Sequence, residues 1–370
     1  MTLWKGALLG LLLGASALGA CVDVAEERAR RDMTVGQAEL GDVRVAVQHG
    51  HAAVRLLGPG ELRLWAGAPV LSVQMAVGAA SGGPWSITVE NVLSDAELRA
   101  ETAAGEELAV ELTDQPAPTQ RTWRLDAPAG GEITLTLRPP DAGDLAPWRF
   151  AALADVQEAI DGVQDIYAKM NAHPGLRFAL FSGDLTARGT AEQLERFQRE
   201  AKSLKIPLYA TLGNHELGVR DDLYHEYYGR GNYSFAFRGA RFTMLDSASA
   251  TIDPLVYGWL EGWLEEGRGG LHMVAMHIPP IDPVGTRNGS FASRAEADKL
   301  LSMLAGGGVD LTVYGHVHSY YVYENAGIPA YITGGGGAIP ERMDGIGRHF
   351  VVVDVLPGQS FSQVAVVRID

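Results

Sequence analysis

The sequence predicts an α/β protein in which a smaller all-β sandwich domain precedes a larger domain of alternating strands and helices. At 370 residues the chain is long enough for two hydrophobic cores. Apolar residues recur at every second position up to Leu137, whereas apolar strands alternate with helical spacing from Phe150 onward. The intervening segment, residues 138–144, is rich in Pro, Gly and Asp, as linkers are. We therefore place the two domains at residues 37–140 and 148–370.

The composition is that of an ordinary globular protein, with 46% apolar and 20% charged residues. The 30 Lys and Arg residues against 45 Asp and Glu give a net charge of -15. A surplus of negative charge opposes binding to the phosphate backbone of nucleic acid. The sequence therefore disfavours an extended nucleic-acid partner.

The first residues have the features of an export signal. Lys5 precedes an almost wholly apolar run, residues 7–18, which is too short to span a bilayer as a permanent helix. The following Leu18-Gly19-Ala20-Cys21 resembles the lipobox of bacterial lipoproteins, in which the cysteine becomes the lipidated first residue. We expect a signal peptide at residues 1–20, a lipid on Cys21, a charged tether at residues 21–36 and a protein anchored to a membrane of the cell envelope. The alternative is a cleaved secretory signal beside an incidental cysteine.

The first domain is predicted to be a sandwich of about seven antiparallel strands, each with one face buried. Its apolar residues step by two in five runs, namely Val43/Val45/Val47, Leu71/Val73/Met75/Val77, Trp85/Ile87/Val89, Leu108/Val110/Leu112 and Ile133/Leu135/Leu137. His49 and His51 form an H-x-H pair in this domain. No carboxylate cluster accompanies them, and we expect two surface histidines beside a glycine turn.

The second domain alternates strands with amphipathic helices. Strands are predicted at residues 150–154, 178–181, 206–210, 273–276 and 311–314, with a hairpin at 233–245 and closing β segments at 331–333, 350–355 and 364–369. Helices are marked by apolar residues at helical spacing, which are Ile160/Val163/Tyr167/Met170, Leu194/Phe197/Ala201/Leu204, Leu255/Trp259/Trp263 and Leu300/Leu301/Leu304. Thr190 and Ser293 are expected to cap two of them.

Polar residues follow five of these strands, at positions where a packed sheet does not require them. They are Asp155 with Gln157, Asp184, Asn214 with His215 and Glu216, His277, and His316 with His318. Ligands bind outside the carboxyl ends of strands in open α/β sheets, and carboxylate, amide and imidazole groups suit Mn, Fe or Zn. We therefore predict a site for two metal ions about 3.5–4 Å apart that share a carboxylate and a hydroxide. Taken singly, Asp184 also fits a helix cap and His277 a core histidine.

These blocks resemble those of the calcineurin-like metallophosphoesterase superfamily. The superfamily carries D-x-H, G-D-x, G-N-H-[DE], a single His and G-H-x-H, and residues 148–356 contain corresponding blocks in the same order. The resemblance implies a two-sheet β-sandwich flanked by helices. The purple acid phosphatases of the superfamily also carry an N-terminal β-domain.

The resemblance further implies a role for each polar residue. Asp155 and His318 would hold the first metal, Asp184 would bridge both, and the second metal would be held by Asn214, His277 and His316. His215 would face the substrate as proton donor, with Glu216 orienting its ring.

One block departs from the superfamily, since Asp155-Val156-Gln157 has Gln where His is usual. The carbonyl oxygen of Gln157 can still ligate the first metal, but it is a weaker donor than imidazole toward Zn or Fe. The alternative places Gln157 in the first turn of a helix with its amide in water.

Three further features border these blocks. Arg188 follows Asp184 and could reach a phosphate, or it could be a solvated loop residue. Arg287 lies in a loop after His277 and could line the same pocket. The glycine run at residues 334–337 is either a tight packing segment or a phosphate cradle, although no Lys-Ser/Thr follows it as in a P-loop.

The sequence as a whole favours an exported hydrolase that acts on a small-molecule phosphate ester. Monoester and diester substrates both remain open. The alternative is a non-catalytic metal-binding or phosphate-binding lipoprotein with a degenerate first metal site. An amidohydrolase is disfavoured, because the pair His316 and His318 comes late in the domain rather than on its first strand.

Overall fold

The computed structural model describes residues 24–218, 220–285, 289–343 and 345–369. The predicted signal peptide, Cys21 and Arg287 lie outside these residues. Within the described ranges, no helix is both long and apolar enough to cross a membrane.

The first domain is an all-β sandwich, as predicted. Its strands are β1 (Gln37–Leu40), β2 (Val43–His49), β3 (Ala52–Gly58), β4 (Glu61–Ala66), β5 (Leu71–Val77), β6 (Gly83–Glu90), β7 (Glu97–Thr102), β8 (Glu107–Leu108), β9 (Val110–Ala117), β10 (Gln120–Ala127) and β11 (Gly131–Arg138). One sheet has the order β1-β2-β5-β11-β7-β8 and the other β3-β4-β6-β10-β9. The prediction of about seven antiparallel strands was wrong in two respects. The domain has eleven strands, because short polar edge strands such as β1 and β8 lack the apolar alternation that marks a strand in the sequence. In addition, β4 pairs with β6 in parallel.

The second domain is a mixed α/β sandwich of two sheets with helices outside them, as the resemblance implied. Its strands are β12 (Trp148–Leu153), β13 (Leu176–Ser182), β14 (Leu208–Thr211), β15 (Tyr233–Phe237), β16 (Ala240–Leu245), β17 (Leu271–Met276), β18 (Leu311–Tyr314), β19 (Tyr320–Asn325), β20 (Ile328–Thr333), β21 (His349–Leu356) and β22 (Ser360–Arg368). The sheet orders are β14-β13-β12-β21-β22 and β15-β16-β17-β18-β20-β19. Strands β12 to β14 run parallel in the first sheet, and β16, β17, β18 and β20 run parallel in the second.

The helices include α1 (Val24–Asp32), α2 (Gln164–Ala172), α3 (Ala191–Ala201), α4 (Leu223–Tyr227), α5 (Pro254–Gly267) and α6 (Arg294–Gly306), with 3-10 helices at Gln157–Gly162 and Asn214–Leu217. The hydroxyl oxygens of Thr190 and Ser293 accept hydrogen bonds from backbone N–H groups three residues on, which confirms both predicted caps. The single helix predicted over 160–170 is divided near Gly162, a poor helix former. In α5 the buried face carries Val256, Leu260 and Leu264 rather than the predicted stripe, and Leu255 is 38% exposed.

The prediction of a tether at residues 21–36 was wrong for the residues that the structure describes, because Val24–Asp32 of this charged stretch forms helix α1, which packs against the second domain. Arg28 is buried, and its Nε donates a hydrogen bond to Asp246 Oδ2 at 2.6 Å. The carboxylate of Asp32 accepts hydrogen bonds from the backbone N–H groups of Gly231 and Asn232, at 2.8 and 3.0 Å. Buried charges are stable only when paired in this way, which explains why a charged segment is folded here.

The interpretation of His51 as a surface residue was also wrong, since its ring is buried between the two domains. Its Nε2 accepts a hydrogen bond from the backbone N–H of Arg230 at 2.9 Å. Glycines make room for the ring, because a Cβ at Gly67 or Gly229 would lie within 2.3 Å of it. Burial, reinforced by the charge of Arg230, lowers the pKa of His51 to about 3. The ring is therefore neutral in the folded protein at physiological pH.

Candidate metal centre

The carboxyl ends of five parallel strands bring the predicted polar residues to one place in the second domain. Strands β12, β13 and β14 of one sheet lead to Asp155, Asp184 and Asn214, and β17 and β18 of the other sheet lead to His277 and His316. The other predicted polar residues lie close behind these in the chain, each within four residues of a strand end or of one of the side chains just named. They are Gln157, His215, Glu216 and His318. The whole predicted set is thus gathered where the two sheets meet.

The backbone at this site is unusual as well. Asp155, Gln157, Asp184 and His316 have positive φ angles of 63°, 47°, 53° and 70°. In the described chain only eight residues other than glycine have a positive φ, so half of them belong to this site. Such conformations cost free energy and persist where the surrounding structure enforces them, which is typical of functional sites.

The second predicted metal position is formed by Asp184, Asn214, His277 and His316. Asn214 Oδ1 lies 3.1 Å from His277 Nε2 and 2.9 Å from His316 Nδ1. Asp184 Oδ1 lies 3.2 Å from the same His277 Nε2. Asn214 Oδ1 therefore lies beside two imidazole nitrogens, and Asp184 lies beside one of them. Carboxylate, amide oxygen and imidazole donors of this kind suit Zn, Fe or Mn.

The ring of His277 is held in place by a hydrogen bond, and its pKa is raised beside Asp184. Its Nδ1 donates a hydrogen bond to the carbonyl oxygen of Ser182 at 2.8 Å, which directs Nε2 toward Asp184 and Asn214. Burial alone would lower the pKa of His277, but the negative charge of Asp184 raises it to about 9. Burial likewise opposes ionisation of Asp184, yet His277 and His215 hold its pKa well below the usual value. The surroundings of Asp184 at the second predicted metal position therefore favour a positive charge.

The first predicted metal position is formed by Asp155, Asp184 and His318, whose ligand atoms all lie within 4.8 Å of one another. His318 Nδ1 donates a hydrogen bond to the Ile339 carbonyl oxygen at 2.6 Å, which leaves Nε2 facing Asp155 Oδ1 at 3.4 Å and able to ligate a metal. Asp155 Oδ1 is buried, and no described group donates a hydrogen bond to it. An orphaned buried carboxylate oxygen beside an imidazole nitrogen fits a bound cation.

Gln157 borders this first position with its amide nitrogen. Its Nε2 donates to Asp184 Oδ2 at 2.7 Å and lies 3.2 Å from His318 Nε2. Only 4% of the residue is exposed, so the alternative of an amide in water was wrong. An N–H group is no metal ligand, and the amide must turn over for the Gln157 carbonyl oxygen to coordinate a metal.

His215 stands at the edge of the site, with 36% of its side chain exposed. Its Nδ1 donates a hydrogen bond to the carbonyl oxygen of Ala187 at 2.7 Å, and its Nε2 lies 3.8 Å from Asp184 Oδ2. The ring therefore presents Nε2 to the metal positions while remaining reachable from solvent. This geometry allows a proton to be delivered to a substrate held there.

Glu216 does not orient His215, contrary to the expectation from sequence. One carboxylate oxygen accepts hydrogen bonds from the backbone N–H and the hydroxyl of Thr186, and the other accepts from the N–H of Gly213, all at 2.9 Å. Burial and the charge of Asp184 raise the pKa of Glu216 to about 7. Glu216 instead ties the loop after β13 to the loop after β14, and the Ala187 carbonyl orients the His215 ring.

The glycine run at residues 334–337 is a packing segment around Asp155. A Cβ at Gly334 would lie 2.9 Å from Asp155 Oδ2 and 2.3 Å from the Val317 carbonyl oxygen, and a Cβ at Gly336 would lie 2.5 Å from the Ala154 carbonyl oxygen. Only glycine permits this approach. The carbonyl groups that orient the histidine rings had no sequence signal, because every residue has one. Arg188 is exposed in the loop after Asp184.

Comparison with known proteins finds similarity over part of the chain. Residues 149–320 match the calcineurin-like phosphoesterase family. A 3',5'-cyclic-nucleotide phosphodiesterase of Nostoc sp. is 25% identical over 160 residues, which cover 40% of this chain and 58% of that protein. The match thus spans less than two thirds of that curated relative.

Two phosphatases are among the solved structures that the comparison matched to this chain. The purple acid phosphatase of yellow lupin (Lupinus luteus) is 15% identical and superposes with a TM-score of 0.49 over 81% of this chain and 71% of its own. A dimetal phosphatase from Danio rerio is 14% identical, with a TM-score of 0.44 over 60% of this chain and 99% of its own.

Proposed function

Since residues 149–320 match the calcineurin-like phosphoesterase family, we propose that this protein hydrolyses phosphate esters at a dinuclear metal centre on the strand ends of its second domain. The family match and the phosphodiesterase relative support a phosphoester hydrolase. The observation that supports the metal centre is the position of Asp184, which lies 3.2 Å from His277 Nε2 and also forms a cluster with Asp155 and His318, whose ligand atoms lie within 4.8 Å of one another.

Each metal ion would have its own ligands on this chain. Asp155 and His318, with Gln157 after its amide turns over, would hold the first ion; Asn214, His277 and His316 would hold the second; Asp184 would be shared. The two ions, when bound, would supply a shared hydroxide nucleophile and neutralise charge that develops on the phosphoryl group. Mn, Fe and Zn all suit these donors.

His215 would protonate the leaving oxygen. The hydrogen bond from Nδ1 to the Ala187 carbonyl keeps Nε2 directed at the site, so a proton carried on Nε2 can pass to the substrate. Glu216 would hold the loop after β13 and the loop after β14 together without touching the reacting atoms. Arg188 and, outside the described residues, Arg287 are proposed to contact the substrate phosphate.

The substrate would be a small phosphate ester, and both monoesters and diesters are candidates. The test is hydrolysis of a panel of aryl phosphate monoesters and diesters by purified protein, before and after chelation and with Mn, Fe or Zn restored. Metal-dependent release of the aryl alcohol is the expected result. Absence of release from every ester at full metal content would refute the proposed activity.

The bond between Gln157 and Asp184 favours one second candidate, a non-catalytic metal-binding or phosphate-binding lipoprotein. Because the amide nitrogen of Gln157 faces the first position, an ion would bind only at the second position. Such a protein would contain one tightly held ion and bind inorganic phosphate without turning over any ester. Calorimetry with phosphate, run beside the ester panel, separates the two candidates.

We also propose that the protein is exported and anchored to a membrane by a lipid on Cys21. The support is the sequence Leu18-Gly19-Ala20-Cys21 after an apolar run. Cys21→Ser should move the protein out of the membrane fraction or leave its signal uncleaved. Recovery of unlipidated wild type in the soluble fraction would refute the anchor.

A further inference from the structure

A cleft beside helix α5 contains both tryptophans of that helix and none of the residues of the metal positions. Its volume is about 450 Å³, which lies in the range of pockets that hold small organic ligands. The lining comes from α5, from the end of α1 and from the segment before β15. The lining residues are Asp32, Met33, Arg230, Asn232, Gly258, Trp259, Gly262, Trp263 and Glu266. The cleft is therefore a second place in the molecule where a ligand can be held.

The two tryptophans lie at the border of the core. Trp259 and Trp263 are one helical turn apart, and their ring centroids are 6.4 Å apart with 51° between the ring planes. Both rings pack against the core along one side and remain partly exposed in the cleft. Neither indole N–H donates a hydrogen bond to a described residue, and neither indole nitrogen is buried. The rings thus offer aromatic faces and two unpaired donors to a ligand.

Two glycines keep the cleft open along α5. Gly258 and Gly262 are exposed, and a Cβ at either position would meet no atom within 4 Å outside its chain neighbours and the helix backbone. Packing within the described chain therefore does not require glycine here, in contrast to Gly67 and Gly229. Glycine inside a helix is unfavourable relative to alanine, and one reason for it is a ligand that approaches the backbone closely.

The charged groups of the cleft disfavour an anionic ligand. Asp32 is buried, and both of its oxygens already accept backbone hydrogen bonds. Glu266 is 61% exposed and pairs with Arg241 at 2.9 Å. Arg230 donates through Nη2 to the Val35 carbonyl oxygen at 3.3 Å, and its Nη1 has no hydrogen-bond partner among the described residues. Two carboxylates beside one lining guanidinium leave no excess of positive charge, so a neutral ligand with hydrogen-bonding groups fits best.

A sugar ring has the matching chemistry. One face of a pyranose carries C–H groups that can stack on an indole ring, and its oxygens accept hydrogen bonds from N–H donors. Its hydroxyl groups can also donate to the Glu266 carboxylate. An aliphatic chain would leave the indole N–H groups unpaired, and a quaternary ammonium group has no acceptor to offer them.

We propose that this cleft binds a neutral oligosaccharide, with a sugar ring stacked on Trp259 or Trp263 and lying over the bare helix backbone at Gly262. The oligosaccharide is bound and not cleaved. The inference is independent of the proposed phosphoesterase function, because the cleft shares no residue with the metal positions.

The test titrates purified protein with neutral pentasaccharides and follows both tryptophan fluorescence and heat. The probes are cellopentaose, maltopentaose, mannopentaose and N-acetylchitopentaose. Adenosine and decaproline represent two other ligand classes that bind to exposed aromatic rings. We expect a Kd below about 1 mM for at least one sugar and no binding of adenosine or decaproline. Failure of all four sugars to bind, or binding of adenosine or decaproline in their place, would overturn the inference.

Tryptophan variants locate the contact. Trp259→Ala and Trp263→Ala should each weaken binding of that sugar at least about tenfold, since truncated tryptophans typically cost this much at a binding site. Leu255→Ala is the matched control on the same helix, because Leu255 is 38% exposed but does not line the cleft. It should keep the wild-type Kd. Wild-type affinity in both tryptophan variants would overturn the inference.

Gly262→Leu separates a lost ligand contact from a damaged fold. The new side chain enters open space, and leucine is a better helix former than glycine, so the melting temperature should not fall. The same side chain occupies the space proposed for the sugar, so binding should be lost. Gly258→Leu is a second variant of this kind. Wild-type sugar affinity in both leucine variants would show that the sugar binds elsewhere and would overturn the inference.

Discussion

The side-chain amide nitrogen of Gln157 lies 2.7 Å from Asp184 Oδ2, at the proposed first metal position. The bond holds both side chains, and it sets an N–H donor where the superfamily usually places an imidazole ligand. A metal ion at this proposed position would have to displace the hydrogen bond before it could gain a weak carbonyl ligand. The two metal positions should therefore differ in affinity, with the first the weaker.

Replacement of Gln157 by His should strengthen the first position. Imidazole is the better ligand for Zn or Fe, so we expect the metal content after dialysis to rise from about one toward about two ions per chain. Elemental analysis of dialysed protein measures this directly. Gln157→Leu, which removes both donor and carbonyl, is the control and should show no increase. Equal content in wild type and Gln157→His would refute the proposed difference in affinity.

His215→Ala should retain its metals and lose activity according to the leaving group. General acid catalysis contributes about 10²–10⁴-fold, so hydrolysis of an alkyl ester should fall by that factor. A nitrophenyl ester should lose much less, because nitrophenolate leaves without a proton. Rates on both esters, with metal content measured in parallel, test the assignment. Equal losses would indicate phosphate binding instead, and loss of metal would make His215 a ligand.

Arg28→Ala should destabilise the protein strongly, because it leaves Asp246 buried without its partner. Removal of one member of a buried pair typically costs about 3–5 kcal/mol in the free energy of unfolding, which urea denaturation measures. Arg30→Ala is the matched control on the same helix, since Arg30 is 65% exposed in its pair with Glu26 and should cost less than about 0.5 kcal/mol. Similar small effects of both substitutions would mean that α1 is not docked in solution.

Stability should fall as the pH drops from about 6.5 toward 3, in part because of His51. Its pKa is about 3 in the folded protein against 6.5 in the unfolded chain, so between these values only the unfolded chain binds the proton. The contribution approaches about 1.4 kcal/mol per pH unit. His51→Gln keeps an acceptor for the Arg230 N–H without a titrating ring, and urea denaturation across this range should show a flatter profile. The exposed His49→Gln is the control, and an equally steep profile in His51→Gln would exclude this role.

The sequence predicted most of the second domain, because its strands are buried apolar runs and because the polar residue after each strand is conspicuous. It predicted the first domain less well, since edge strands such as β1 and β8 are polar and short. Helix α1 was missed for a different reason. A run of charges is normally solvated, and the partner that buries Arg28, Asp246, is 218 residues away along the chain. Only the folded chain shows that pairing.

The same distinction applies within the site. Residue types identified the polar cluster, and the glycine run at residues 334–337 could have indicated the close packing on Asp155. The roles of Gln157 and Glu216 could not be predicted. Both depend on which side-chain atoms meet after two distant loops pack, and Glu216 reaches Thr186 rather than its chain neighbour His215.

The shared role of Asp184 is tested most directly by elemental analysis of purified Asp184→Asn beside wild type. Asparagine is nearly isosteric and can still accept the hydrogen bond from the backbone N–H of His215, so far-UV circular dichroism should show the wild-type fold. It removes the negative charge that both ions would share. At a free metal concentration that fills both positions of the wild type, we predict that Asp184→Asn loses metal from both positions and with it ester hydrolysis. Metal content equal to that of wild type would contradict a centre bridged by Asp184.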